Sequence, residues 1–373
     1  MTAKSPLRVL LVAGARPNFM KVAPLFEALA RAGHTHIFVH TGQHYDAAMS
    51  DTFLRELAMP EPDEHLEVGS DTHARQTARL MERFEPVVMN HRPDWVVVVG
   101  DVNSTLACAL VAAKLRNDTG CRVAHVEAGL RSNDWTMPEE VNRVLTDRLS
   151  DLLLTPSRDA TPNLLREGMD ASRIEFVGNV MIDSLLRLLP TGRSLEVPKR
   201  LGIADRPYVL VTLHRPSNVD DPDQLRTVLG GLGRIARRAR IIVPLHPRTR
   251  DRIRAFGLDA CLGGLTVLDP LGYGEMLGLM DGAAVVLTDS GGVQEETTVL
   301  GVPCVTLRAQ TERPVTVTEG TNRLAPWPLT VDGIEAAYAE AEALGRHDVG
   351  ERSPEGWDGH AAPRIVEALG RAS

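Results

Sequence analysis

Eleven short runs rich in Val, Leu and Ile recur along this chain, spaced by segments long enough for helices. They fall at residues 7–13, 36–40, 95–99, 122–126, 152–155 and 174–177, then at 208–213, 241–245, 265–268, 283–288 and 304–307. A strand with one wet face alternates apolar and polar residues, whereas a strand covered on both faces reads as a continuous apolar run. These runs are of the second kind. Helical patterns at 103–117, 139–150, 221–239 and 291–300 lie between them. Strand–helix alternation of this sort predicts a doubly wound α/β architecture with parallel sheets.

The series breaks at 189–207, where three prolines and two glycines fall in a stretch without periodicity. A second strand–helix series follows. The 373 residues also exceed one ordinary core, at roughly 150 residues per domain. Two Rossmann-like domains with a cleft between them are therefore expected, the first over 1–180 and the second over 181–357. An apolar helical pattern at 358–373 (Ala362, Ile365, Val366, Leu369) is expected to pack back on the first domain.

Hydrophobic residues make up 43% and charged residues 24%, as in soluble globular chains. The formal net charge of −8 argues against nucleic acid or an anionic membrane as partner. Cys108, Cys121, Cys261 and Cys304 are scattered, with neither a CxxC pair nor metal-ligand spacing. The first apolar run is interrupted by Gly14 and Arg16, so it is too short for a membrane span and lacks a cleavage-site pattern. A cytoplasmic protein with no metal is expected.

Ligands of such sheets bind beyond the carboxyl ends of the strands, so residues just after each run carry the interest. After the first stand Arg16 and Lys21, in a segment that matches neither glycine-rich phosphate motif. Two readings stand: solvated cations, or cations at a helix start that hold an anion. Asp101 follows Trp95–Val99, and its commoner role there is helix capping. Glu127 follows the next strand, where a charge is costly without a partner. Three glutamates (127, 139, 140) and two arginines (131, 143) fall within seventeen residues, more than a solvated face needs; carboxylates with separated pKa values suit general acid and base work.

In the second half, His214 and Arg215 end one strand and His246 the next. Thr288-Asp289-Ser290-Gly291-Gly292-Val293-Gln294-Glu295-Glu296 leads from a strand into a helix. Its glycines allow close backbone approach and its free N–H groups can cradle a diphosphate. Glu296, one turn in, can accept from a ribose diol. Arg308, Glu312 and Arg313 follow the next strand and could close the same pocket.

Together these segments resemble the non-hydrolysing UDP-N-acetylglucosamine 2-epimerases. The matching text is GARPNFMKVAPL, TGQHYD, GDVNSTLACALVAAKL, HVEAGLR, PEEVNR, VGNVMIDSL, LVTLHRPSN, PLHPR, TDSGGVQEE and TERPVTVTEGT, in family order over most of the chain. The resemblance implies a GT-B fold with the site in the interdomain cleft. It also implies interconversion of UDP-N-acetylglucosamine and UDP-N-acetylmannosamine without NAD or metal, in a homodimer. No carbonyl neighbours sugar C2, so its proton is not acidic enough for simple removal. Elimination of UDP to 2-acetamidoglucal and re-addition would serve, using acids on two faces and cations for the departing UDP. By position in the motifs, Asp101, Glu127 and Glu139 would be the acid/base set, and His214 would assist the leaving diphosphate. Arg16 and Lys21 would add positive charge. Ser290 and Gly291 would take the phosphates, Glu296 the ribose, Tyr273 the uracil region and Arg313 the sugar or phosphate, with Gly292 and His246 also among the substrate-binding residues.

The chain departs from the family text in places. It has Gly14-Ala15-Arg16-Pro17-Asn18 where many members read GTRPE. Gln43-His44-Tyr45-Asp46 stands where members activated by substrate at a second site carry QHRQ. Pro216-Ser217-Asn218 after His214-Arg215 removes an acid. QHYD also occurs in relatives acting on diacetamido uronic acid sugars. A UDP-2,3-diacetamido-2,3-dideoxyglucuronate 2-epimerase is therefore the near alternative, and a GT-B glycosyltransferase the alternative of another class.

Overall fold

The structure, a computed structural model, describes residues 5–43 and 54–373, with Arg16 given by its backbone alone. His44, Tyr45 and Asp46 lie outside the described residues. The chain divides into two compact units, one running through Arg187 and joined by Glu355–Ser373, the other spanning Leu188–Pro354. The division falls within the helix Val180–Ser194, which runs on into the stretch that lacks periodicity in the sequence.

The sheet of the first unit holds β1 (Arg8–Ala13), β2 (Thr35–His40), β3 (Glu64–His65), β4 (Trp95–Val99), β5 (Arg122–Val126), β6 (Leu152–Thr155) and β7 (Ile174–Phe176). Their order is β3-β2-β1-β4-β5-β6-β7, and every pairing is parallel. Leu10 pairs with Ile37 on one side and Val96 on the other. Trp95 through Val99 are each at most 1% exposed, so helices cover both faces. The second unit repeats the plan with β8 (Tyr208–Thr212), β9 (Arg240–Pro244), β10 (Thr266–Leu268), β11 (Val285–Thr288), β12 (Cys304–Thr306) and β13 (Asn322–Leu324). Their order is β10-β9-β8-β11-β12-β13, again parallel throughout.

All eleven apolar runs are strands. The sequence missed β3 and β13, and each is an edge strand. An edge strand pairs on one side only, so Glu-His and Asn-Arg-Leu suffice and leave no apolar signature. The helix expected at 103–117 ends at Lys114, followed by a separate turn at Arg116–Thr119. Both sheets reverse strand order beside their first strand, between β1 and β4 and between β8 and β11. Flanking helices depart to opposite faces there and open a crevice at the strand carboxyl ends. Cys108, Cys121 and Cys304 are buried as free thiols. Among the described residues no helix is long and apolar enough to cross a membrane.

The helix Ala361–Arg371 buries Ile365, Val366 and Leu369 and packs on the helix Arg16–Arg31. Its start is held by Asp183, whose carboxylate accepts from the Ala361 N–H (3.1 Å) and the Ala362 N–H (2.7 Å). Burial pushes this carboxyl above its ordinary value despite those bonds. Asp183→Ala leaves two buried N–H groups without their acceptor, at a cost of about 1–3 kcal/mol. Limited proteolysis of that variant is expected to release the C-terminal segment first, at a lower unfolding temperature. A wild-type cleavage pattern would contradict this anchor.

Candidate active site

In the first unit the two strand ends at the order reversal are stitched together. The Asn18 side chain accepts from the Ala15 N–H (3.2 Å) and donates to the Val99 carbonyl (2.9 Å). A glutamate at position 18, as in GTRPE, could accept but not donate, so the departure gains one bond across the crevice floor. Gly100 follows at φ +67, and a Cβ there would lie 2.9 Å from Lys21 Nζ. The ammonium packs where only glycine leaves room.

Lys21 Nζ pairs with Glu127 Oε2 at 2.5 Å, both side chains being nearly enclosed. Glu127 sits at φ +75, a left-handed conformation that costs a long side chain about 1–3 kcal/mol. Its own N–H and that of Ala128 both donate to the Leu154 carbonyl, each at 3.1 Å, which fixes the kink as β5 ends. Strain of this kind concentrates at functional sites.

Asp101 pairs through its carboxylate with Arg143, and its carbonyl accepts from Asn142 Nδ2 at 2.9 Å. Both partners come from the helix Pro138–Leu149. The adjacent glutamates of that helix separate sharply. Glu140 is buried, accepts from the Ser132 N–H, the Ser132 hydroxyl and the Asn133 N–H, and pairs with Arg143 at 2.6 Å. It therefore fastens the preceding loop. Glu139 is exposed beside it. The unit thus brings Lys21, Glu127 and Asp101 to the ends of β1, β4 and β5, while Glu139 stands at the start of the helix that orders Asp101.

In the second unit, His214 Nδ1 lies 2.9 Å from Asp289 Oδ1; Asp289 is wholly enclosed while His214 stays 42% exposed. Asp289 also accepts from the N–H groups of His214 (3.1 Å) and Arg215 (2.9 Å). Burial alone would raise its carboxyl, but His214 and these N–H groups hold it below the usual carboxylate range. With Nδ1 held, the histidine turns Nε2 outward. His246 lies alongside, ring centres 5.7 Å apart, and its Nδ1 accepts from the Arg248 N–H at 3.2 Å.

Ser290 is extended and makes no side-chain cap to the helix Gly291–Leu300, so the first N–H groups of that helix lack intrahelical partners. A Cβ on Gly291 would lie 2.8 Å from Arg313 Nη1; the guanidinium spans the helix start beside Gly292. Arg313 pairs with Glu295 at 2.7 Å. Glu312 takes both nitrogens of the Arg308 fork (2.9 and 2.7 Å) and lies 3.5 Å from Arg313. Burial opposes ionisation of Glu312, but Arg308, Arg313 and Arg215 hold it far below the carboxylate range. Free N–H groups with a guanidinium across them suit an anion of two phosphates.

Tyr273 donates its hydroxyl to Glu296 Oε1 at 2.8 Å. Burial and the adjacent carboxylate push the phenol well above its ordinary value. Among the described residues no cation offsets the enclosure of Glu296: burial raises it, Tyr273 pulls back, Glu295 raises it further, and it ends at about 7. Among the described residues no group of three His, Cys, Asp or Glu side chains is arranged to hold a metal. Sequence reasoning did not single out Asn18, Asn142 or Asp289 as site residues, and weighed Arg143 only as part of a charged cluster. Asp289 sits at a strand end inside the motif whose glycines drew notice, and Arg143 follows Glu140 by one helical turn.

A family model described as UDP-N-acetylglucosamine 2-epimerase matches residues 27–370. The chain is 40% identical over 371 residues to the UDP-N-acetylglucosamine 2-epimerase of Methanocaldococcus jannaschii, covering 97% of this chain and 99% of that one. It is 43% identical over 323 residues to the UDP-2,3-diacetamido-2,3-dideoxy-D-glucuronate 2-epimerase of Pseudomonas aeruginosa, covering 85% and 88%. Its structure matches the crystal structure of the M. jannaschii UDP-GlcNAc 2-epimerase in complex with UDP-GlcNAc and UDP with a TM-score of 0.87 at 38% identity, over 98% of this chain and 100% of that one.

The Glu296 environment is directly testable. Carboxyl-labelled glutamate NMR is expected to find one glutamate titrating near pH 7, absent in Glu296→Gln. Because the Tyr273 bond lowers it, Tyr273→Phe moves that midpoint upward. A downward move would reverse the assignment.

Proposed function

The chain belongs to the UDP-N-acetylglucosamine 2-epimerase family, and we propose that it interconverts UDP-N-acetylglucosamine and UDP-N-acetylmannosamine by elimination and re-addition of UDP. Two carboxylates held against cations at the order reversal of the first sheet carry this reading. In the forward half-reaction a carboxylate takes the C2 proton, the C–H electrons become the C1=C2 double bond of 2-acetamidoglucal, and the C1–O pair leaves with UDP. The return delivers a proton to the opposite face of C2 while a UDP oxygen attacks C1. Asp101, Glu127 and Glu139 form the acid/base set, and either direction uses the same groups.

Lys21 adds positive charge near the reacting carbons, and Arg16 is the second cation of the set. The helix N–H groups at Ser290, Gly291 and Gly292 take the diphosphate together with Arg313, and His214, steadied by Asp289, donates to it as it departs. His246 extends that contact. Glu296 accepts from the ribose diol, and Tyr273 holds that carboxylate in place beside the uracil region. Stabilising a leaving diphosphate with fixed dipoles and cations needs no reorganisation during the reaction. The same reading carries a cytoplasmic homodimer, supported by the family resemblance and readable by sedimentation.

In deuterated buffer, proton NMR of UDP-N-acetylglucosamine with the protein is expected to develop a manno-configured anomeric signal as the C2 proton disappears. Product retaining its C2 proton would exclude the elimination route. Asp101→Asn and Glu127→Gln are each expected to lower kcat by about 10²–10⁴-fold while UDP still binds; full turnover would remove that residue from the set.

The 43% identity to the P. aeruginosa enzyme favours one second reading, the diacetamido glucuronate as substrate. Parallel assays on both UDP-sugars decide it, since kcat/KM for the true substrate exceeds that for the other. Turnover of the glucuronate alone would move the assignment while leaving the mechanism intact.

A further inference from the structure

The most enclosed titratable pair of the first unit takes no part in the proposed chemistry. His125 and Asp147 are both fully buried, and His125 Nδ1 lies 2.6 Å from Asp147 Oδ1. The opposite ring nitrogen, Nε2, lies 2.8 Å from the Gly100 carbonyl. A carbonyl can only accept, so Nε2 carries a proton and donates it. Gly100 is the residue before Asp101, and its φ of +67 leaves that peptide plane with no steric preference of its own.

The other carboxylate oxygen of Asp147 serves the neighbouring loop. It accepts from the Gly129 N–H at 3.1 Å and pairs with Arg131 at 2.7 Å. Arg131 in turn grips Glu167 with two bonds of 2.7 Å. Gly129 lies two residues beyond the strained Glu127. One buried pair thus holds the peptide before Asp101 with its ring and the Ala128–Gly129 peptide, just beyond Glu127, with its carboxylate.

We infer that His125 and Asp147 are positioning residues that fix the spacing of the Asp101 and Glu127 carboxylates by bridging the two loops that carry them. The inference rests on the proposed epimerase reading. A fold needs only that the loops close; catalysis needs them closed at one spacing, and a displacement near 1 Å can cost about 10²-fold in rate. Histidine suits the task because it reaches an acceptor on each side through a rigid ring. Glutamine at 125 can donate to Gly100 but turns its own oxygen toward the Asp147 carboxylate.

Wild-type epimerisation is measured first, so failure of the functional reading appears there and nowhere else. His125→Gln, Asp147→Asn and the double variant are then compared by kcat per UDP-binding site, KM, UDP affinity and unfolding temperature. The expected result is a loss of about 10²-fold in kcat per site with KM and UDP affinity near wild type. The double variant is expected to be no worse than the poorer single, because the pair acts as a unit. A purely structural role would lower the unfolding temperature and the number of UDP-binding sites but leave kcat per site unchanged, which would overturn the inference. Independent, additive losses would also overturn it. Should a variant not fold, nitrogen-15 histidine spectra of the wild type still decide. A His125 Nε2–H shielded from solvent exchange is expected, and its absence would remove the bridge to Gly100.

Discussion

A charged side chain in a sheet covered on both faces has few places to go, because stripping its water costs far more than any single contact returns. In this chain β4, β8 and β11 hold no charged residue, and ionisable groups gather where the strands stop. That constraint, more than any motif, concentrates Lys21, Asp101, Glu127, His214 and Asp289 at strand carboxyl ends. The reversal of strand order then decides which ends matter, since only there do the helices part. Both units obey the same rule, with different loops mounted on the same strand order.

The two units solve the desolvation problem differently. In the first, the carboxylates around the strand ends have cations: Lys21 for Glu127, and Arg143 for Asp101 and Glu140. Replacing such pairs by apolar residues is often neutral or stabilising, so stability is not the reason to keep them. What they supply is a fixed charge pattern before substrate arrives. The second unit does the same around Glu312, where three arginines are held in place by one acid. Glu296 breaks the rule. It is enclosed with a phenol to answer it and sits at about 7, so near neutral pH it exchanges between an acceptor-only carboxylate and a protonated form that can also donate.

How much of this was legible follows from the same physics. Eleven apolar runs were readable, including the edge strands β7 and β10, whereas β3 (Glu-His) and β13 (Asn-Arg-Leu) hold too few apolar residues to stand out. Glu127 was legible as a charge at a strand end, and the Ser290–Gly292 turn as glycine before a helix. Partners brought in from afar were not legible: nothing in one sequence says that Asn18 reaches Val99, that Arg143 turns to Asp101, or that Asp289 steadies His214. Nor could adjacency separate Glu139 from Glu140. A rotation of 100° per residue sends one to solvent and the other to the Ser132 loop, and only packing decides which.

The left-handed backbone at Glu127 connects these threads. Glycine there would relax the turn at once but remove the charge that meets Lys21, whereas a right-handed glutamate would keep the charge and misdirect it. The chain accepts the strain and surrounds it with restraints: the Glu127 and Ala128 N–H groups on Leu154 at the kink, Gly129 on Asp147 after it, and the ammonium on the side chain itself. Each restraint is ordinary, and together they leave the carboxylate little choice of direction. The proposed reaction, which takes a proton from one face of a carbon and returns it to the other, would draw on that lack of choice.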